Sequence, residues 1–251
     1  MKSLKFIFLS LLGLYLFLGS VMSGRAGETE DQSLYGELLD KYVKNGVVDY
    51  QGFKNEEATL DKYLKILENT NVRGLSRDEQ FAFYVNSYNA WTIKLILGAY
   101  PGIKSIKDLG NIFKSPWEKE IVRVDGKVIS LDDVEHKILR KKFKDPRIHF
   151  AVNCASKSCP PLISEPYSGN NLSQQLDHST RTFVNDPRSN YLKGNKLYVS
   201  KIFKWFPEDF DDDIVGFVLK YAEGDFKKEL EARKDKIKIK YLHYDWSLNG
   251  A

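Results

Sequence analysis

Cys154 and Cys159 are the two cysteines of the chain. Both fall in the segment Arg147-Ile-His-Phe-Ala-Val-Asn-Cys-Ala-Ser-Lys-Ser-Cys-Pro-Pro-Leu162, which also carries His149 and Asn153. Three chemistries compete there. A disulfide across the four intervening residues is the structural reading for an exported chain. A Cys154 thiolate activated by a histidine is a nucleophile. Metal ligation would join both cysteines to one or two of His136 and His149, although C-x4-C lacks the tight spacing of structural zinc sites. If residues 148–152 form a strand, alternation puts His149 on a face with Ala151 and Asn153 and turns Cys154 the other way. His136, from the preceding helix, is then the expected partner of Cys154.

Two other elements place polar groups on apolar faces. Around the helix expected over residues 76–98, apolar residues cover nearly the whole circumference, so it should be central and buried. Asn86 and Asn89, one turn apart, fall within its apolar arc beside Ala82, Ile93 and Leu97. Their amides must bond internally, either to the backbone of a neighbouring loop or in a site. Along the helix expected over 131–143, Leu131, Val134, Ile138 and Leu139 form the buried stripe. Glu135 lies inside that stripe and His136 at its edge. A carboxylate there needs a partner or a proton, and the imidazole is available as base or ligand.

The remaining pattern is mixed. Leu34, Leu38, Leu39, Tyr42 and Val43 recur at helical spacing, as do Leu60, Tyr63, Leu64 and Leu67. Ser76 with Glu79 forms a capping box ahead of the long apolar helix. Residues 121–129 read as a hairpin turning at Asp125-Gly126, and 191–199 as another around Gly194-Asn195. Helices are expected over 171–185, 211–222 and 225–233, then a strand through Ile237, Ile239 and Tyr241. Helices and hairpins without regular βαβ alternation favour an α+β class: a single domain with a central buried helix packed on a mostly antiparallel sheet. Trp91, Trp117, Trp205 and Trp246 serve either that core or a ligand groove.

The chain has 251 residues, 38 Lys and Arg against 34 Asp and Glu. Residues 1–26 hold Lys2, Lys5 and Arg25 and no acid, so the remainder carries 35 basic against 34 acidic residues, a net of +1. A near-neutral chain lacks the basic surface that nucleic acid requires. With 42% hydrophobic and 13% aromatic residues, disordered and low-complexity classes are excluded. Lys2 and Lys5 precede an uncharged run from Phe6 to Gly24, and Gly24 and Ala26 supply the small residues of a cleavage site. This reads as a secretory signal peptide cut after Ala26, leaving residues 27–251 as the exported domain. Only an uncleaved segment would hold the protein to a membrane. No phosphate-binding glycine loop, H-E-x-x-H or G-x-S-x-G occurs, so nucleotide hydrolysis, zincin and serine-esterase chemistry have no motif.

Several segments carry a family resemblance: Tyr84-Val-Asn-Ser-Tyr-Asn-Ala-Trp-Thr-Ile93, Ser130-Leu-Asp-Asp-Val-Glu-His-Lys-Ile-Leu-Arg140, Asp145 to Pro161, Ser200-Lys-Ile-Phe-Lys-Trp-Phe206 and Tyr244-Asp-Trp-Ser-Leu-Asn249. From about residue 45 to the C-terminus the chain resembles the family catalogued as domain of unknown function 547 (DUF547), to which no mechanism is attached. It is also distantly similar to papain-like and transglutaminase-like hydrolases, which place a Cys at the start of a central helix and a His on a following strand. This chain departs from that pattern. Its central helix offers Asn86 and Asn89 in place of Cys, and Cys154 follows both His136 and His149.

The expectation is an exported enzyme, periplasmic or extracellular, in which Cys154 attacks an acyl or peptide-like carbonyl. His136 or His149 would be the base, Glu135 would orient the imidazole, and Asn86, Asn89 or Asn153 would donate to the oxyanion. The competing expectation is a non-catalytic binding module with a Cys154–Cys159 disulfide. Either would take a small-molecule or peptide-like ligand, with no cofactor, no metal and no nucleic acid.

Overall fold

The computed structural model describes residues 31–111 and 113–250. Residues 1–26, expected as a signal peptide, therefore lie outside the described residues. Helix α1 (Ser33–Tyr42) leads through a short pair of strands, β1 (Val43–Lys44) and β2 (Val47–Val48), into α2 (Tyr50–Asn55) and α3 (Glu57–Asn69). Then comes α4 (Arg77–Leu97). Its N-terminus is closed by the expected box: the Ser76 hydroxyl accepts from the Glu79 N–H, and the Glu79 carboxylate accepts from the Ser76 N–H. Both satisfy donors that the first turn cannot pair internally. Fifteen of its 21 residues are buried, among them Asn86 and Asn89, so α4 is the central helix that its all-round apolar surface implied.

After α4, β3 (Glu120–Val124) and β4 (Lys127–Ser130) form the expected hairpin. Asp125 (φ 49°) and Gly126 (φ 68°) both take positive φ, the requirement of the tight turn that matches strand twist. A π-helix, Asp133–Phe143, follows where an ordinary helix was expected. Its wider i→i+5 turn replaces the 100° wheel on which Glu135 was placed inside an apolar stripe, and Glu135 is only half-buried.

Residues 148–152, expected as a strand, instead begin inside a 3-10 helix, Pro146–Phe150, opened by Asp145, whose side chain accepts from the Arg147 N–H. Pro146 supplies the fixed φ of a first helical position, which outweighs the strand preference of Ile148 and Phe150 after it. The chain continues through a loop to α5 (Leu172–Val184), the hairpin β5 (Tyr191–Lys193) and β6 (Lys196–Val199), then α6 (Ile202–Trp205), α7 (Ile214–Tyr221), α8 (Gly224–Arg233) and β7 (Lys238–Tyr241).

The class is α+β. The strands make three small sheets rather than one, and β7 joins β6 in parallel, the exception to otherwise antiparallel pairing between strands. Buried side chains form two clusters. One surrounds α4 and includes Tyr88, Leu139 and Val152; the other gathers Phe150, Phe203, Phe210, Val218 and Tyr244. Among the described residues no helix is long and apolar enough to cross a membrane.

Candidate active site

A cavity of about 200 Å³ opens along the seam of the two clusters. Tyr88 and Val152 reach it from the first, Ile202 and Tyr244 from the second, and Cys154, Cys159, Glu135, His136 and His149 line it together. Aromatic rings form much of its wall. Trp246 lies edge-on to Trp117 at 5.5 Å between centroids and 4.5 Å from Tyr244, which is 4.8 Å from Trp205. Three of the four tryptophans thus line the cavity, while Trp91 is buried on α4.

The floor is a loop pinned from three sides. Asn89 receives the Asn153 N–H on Oδ1 and donates Nδ2 to the Ala151 carbonyl. Asn153 donates Nδ2 to the Pro160 carbonyl and accepts from the Ala155 N–H and from Asn249. The C-terminal segment then zips onto the loop: Lys157 N–H donates to Ser247, Ser158 N–H to Asp245 and Asn249 N–H to Ala155. Ala155 sits at φ 60° beside Cys154, a left-handed conformation that costs a non-glycine residue about 1–2 kcal/mol and persists only under such restraint.

Asn86 makes the same two-point grip on Tyr167, donating to its carbonyl and accepting its N–H. Asn86, Asn89 and Asn153 were expected as oxyanion donors. Their amides are instead committed to backbone at these loops, and none of the three lines the cavity.

Zipping places Tyr244 over Cys154. The Cys154 sulfur lies 3.1 Å from the Cys159 sulfur, 3.2 Å from the Ser156 hydroxyl and 3.3 Å from the Tyr244 hydroxyl. The Cys159 hydrogen bond, joined by those from Ser156 and Tyr244, holds the Cys154 thiol below its ordinary pKa against the opposing effect of burial. Ser156 also sits 3.1 Å from the Tyr244 oxygen, so its single proton serves the sulfur or the phenol, one at a time. Cys159 moves the other way: burial, then the hydrogen bond and charge of Cys154, push it well above an ordinary thiol. Burial likewise raises the Tyr244 phenol, with the nearby sulfur charges adding to it, so it stays a donor.

His149 is buried, stacked on Phe206 at 4.4 Å between ring centroids, and its Nε2 lies 2.6 Å from Asp209 Oδ2. Arg140 grips the same carboxylate, Nε to Oδ2 at 2.5 Å and a second nitrogen to Oδ1 at 3.1 Å. Burial would raise the Asp209 carboxyl, but the hydrogen bonds from His149 and Arg140 outweigh it and hold it far below the usual carboxylate range. An ionised carboxylate only accepts, so Nε2 carries the hydrogen and Nδ1 is the nitrogen free to take a proton.

His136 stands differently. Its Nδ1 is 3.2 Å from Arg140 and its Nε2 3.4 Å from Asp132, on the partly exposed side of the cavity. Glu135, expected to orient an imidazole, lies near the phenol of Tyr88, whose pKa is raised first by burial and then by the Glu135 charge. Because residues 146–150 are helical, strand alternation does not turn His149 from Cys154, and the geometric preference for His136 disappears. Asp209, Tyr244 and Ser156 were missed. Tyr244 heads one of the segments that carry the family resemblance, a signal that could have found it; Asp209 has no sequence signal at all.

Residues 72–184 match the family model described as "Protein of unknown function, DUF547". That stretch is the part of the chain similar to DUF547 proteins. The matched residues run from the turn before α4 to the end of α5 and include Cys154, Cys159, Glu135, His136 and His149. The match is narrower than the resemblance from residue 45 to the C-terminus, since Asp209 and Tyr244 lie beyond it. The site is therefore completed by residues from outside the DUF547 match. No curated protein and no solved structure matches the chain. Among the described residues no group of three His, Cys, Asp or Glu side chains is placed to hold a metal ion.

Proposed function

We propose that this protein is an exported thiol enzyme, hydrolase or acyl transferase, in which Cys154 attacks an acyl or peptide-like carbonyl. The observation that carries this reading is the Cys154 sulfur set within 3.3 Å of the Cys159 sulfur and the Ser156 and Tyr244 hydroxyls, in a cavity that also holds a carboxylate-oriented imidazole. Hydrogen bonds from these neighbours favour the thiolate, the reactive form of cysteine. His149, fixed by Asp209, takes the thiol proton at Nδ1. The sulfur–carbon bond forms, the amine or alcohol leaves with the proton from His149, and water or a second nucleophile then releases the acyl group. The Tyr244 and Ser156 hydroxyls replace the asparagine amides as candidate donors to the developing oxyanion. Aromatic walls favour a substrate with an apolar or aromatic acyl group. Export, to the periplasm or the extracellular space, rests on the sequence of residues 1–26.

Acylation tests the reading. Reduced protein incubated with p-nitrophenyl acetate should show a single acetyl adduct on Cys154 by intact-mass and peptide analysis, absent in Cys154→Ser and turned over slowly in His149→Ala. Acetylation confined to lysines, equal in wild type and Cys154→Ser, would leave the non-catalytic binding module as the better account.

A further inference from the structure

We infer that Cys154 and Cys159 are the attacking and resolving cysteines of a hydroperoxide-reducing couple, an activity that closes the acyl-transfer site by consuming its nucleophile. This rests on Cys154 being the cavity's nucleophile, but it asks something more of Cys159. The two sulfurs are 3.1 Å apart without being bonded. A tight turn fixes that approach: the Cys159 N–H donates to the Ser156 carbonyl at 3.0 Å, and the Cys154 N–H points at the Cys159 sulfur at 3.0 Å. Both sulfur-bearing residues line the same cavity, whose roughly 200 Å³ admits a small hydroperoxide. The opposite displacement of the two thiols' acidities suits the roles, since the ionised sulfur attacks and the protonated one waits.

The chemistry balances. The Cys154 thiolate attacks the terminal oxygen of a hydroperoxide, an S–O bond forms, the O–O bond breaks, and the departing alkoxide takes up the proton Cys154 had released. Cys154 is oxidised to the sulfenic acid and the peroxide is reduced to an alcohol. The Cys159 sulfur then attacks Cys154; the S–S bond forms, the S–O bond breaks, and hydroxide leaves with the Cys159 proton as water. Two thiols and one hydroperoxide thus become one disulfide, one alcohol and one water. An external dithiol reverses the change by exchange.

The test is stoichiometric cumene hydroperoxide added to the fully reduced chain, followed by intact mass and thiol titration. Wild type should lose two hydrogens and both titratable thiols, at least about 10-fold faster than free cysteine at neutral pH. Cys159→Ser should stop at a one-oxygen adduct on Cys154 that dimedone captures, and Cys154→Ser should not react. Oxidation of wild type past the sulfenic acid without a disulfide, or oxidation no faster than free cysteine, overturns the pairing. Acetylation of Cys154 by p-nitrophenyl acetate, measured on the same preparation, separates the two claims: acetylation without disulfide closure sinks only the couple, and neither reaction sinks both.

Discussion

The Tyr244 hydroxyl lies 3.3 Å from the Cys154 sulfur although 90 positions separate the two residues in the chain. The contact exists because the residues after Tyr244 bond strand-like to the loop after Cys154, with Ser156 and Leu248 bridged and Asn249 tied to both Asn153 and Tyr50. Reactivity of the sulfur is thereby coupled to docking of the C-terminal segment. Tyr244→Phe removes one donor to the thiolate while keeping the ring in place. Its Cys154 pKa should rise, and alkylation at neutral pH should slow about threefold to tenfold. An unchanged rate in Tyr244→Phe would detach this phenol from the thiolate.

Acid should expose the His149–Asp209–Arg140 grip. The Asp209 carboxyl is depressed in the folded chain relative to the unfolded one, so its contribution to stability is fully present above the unfolded value of about 4 and is lost as pH falls below it. Thermal unfolding followed from pH 7 to pH 2 should therefore show a loss below about pH 4 that is smaller in Asp209→Asn. The variant should already be less stable than wild type at pH 7, because His149 and Arg140 lose a charged acceptor. Parallel acid profiles for the two proteins would contradict this assignment.

Asn86 and Asn89 bind loops. Asn86→Leu strands the N–H and carbonyl of Tyr167, and Asn89→Leu strands the N–H of Asn153 and the carbonyl of Ala151. Each buried orphan costs about 1–3 kcal/mol, so both variants should unfold at clearly lower denaturant concentration. Asn89→Leu should also slow Cys154 alkylation, since it frees the loop that sets the sulfur's neighbours, whereas Asn86→Leu should leave the rate near wild type. Wild-type stability in both would mean the loops hold without these amides.

What could be read from the sequence was local. The Ser76–Glu79 box, the Asp125-Gly126 turn and the burial of α4 each follow from residues within one or two turns of each other. Cys154, Cys159, Glu135, His136 and His149, which stand in two neighbouring segments of the sequence, line one cavity. Two backbone choices were not legible. Pro146 and the Asp145 cap turn residues 146–150 into a 3-10 helix against the strand preference of Ile148 and Phe150, and the helix carrying Glu135 and His136 is wound as a π-helix. Both change which side chains share a face. The partners Asp209 and Tyr244 arrive from 60 and 90 positions away, and no local pattern encodes a contact at that range.

The central claim is that Cys154 is the ionised sulfur of the pair and that His149 is its imidazole. The most direct measurement is the pH dependence of iodoacetamide alkylation, resolved by peptide mapping, in wild type, His149→Ala and His136→Ala. Cys154 should react first, with a midpoint below the 8.5 or so of an ordinary thiol, while Cys159 lags at every pH. His149→Ala should move the Cys154 midpoint upward and His136→Ala should leave it near wild type. Cys159 reacting first, or a Cys154 midpoint at or above 8.5 or so in wild type, would contradict the account.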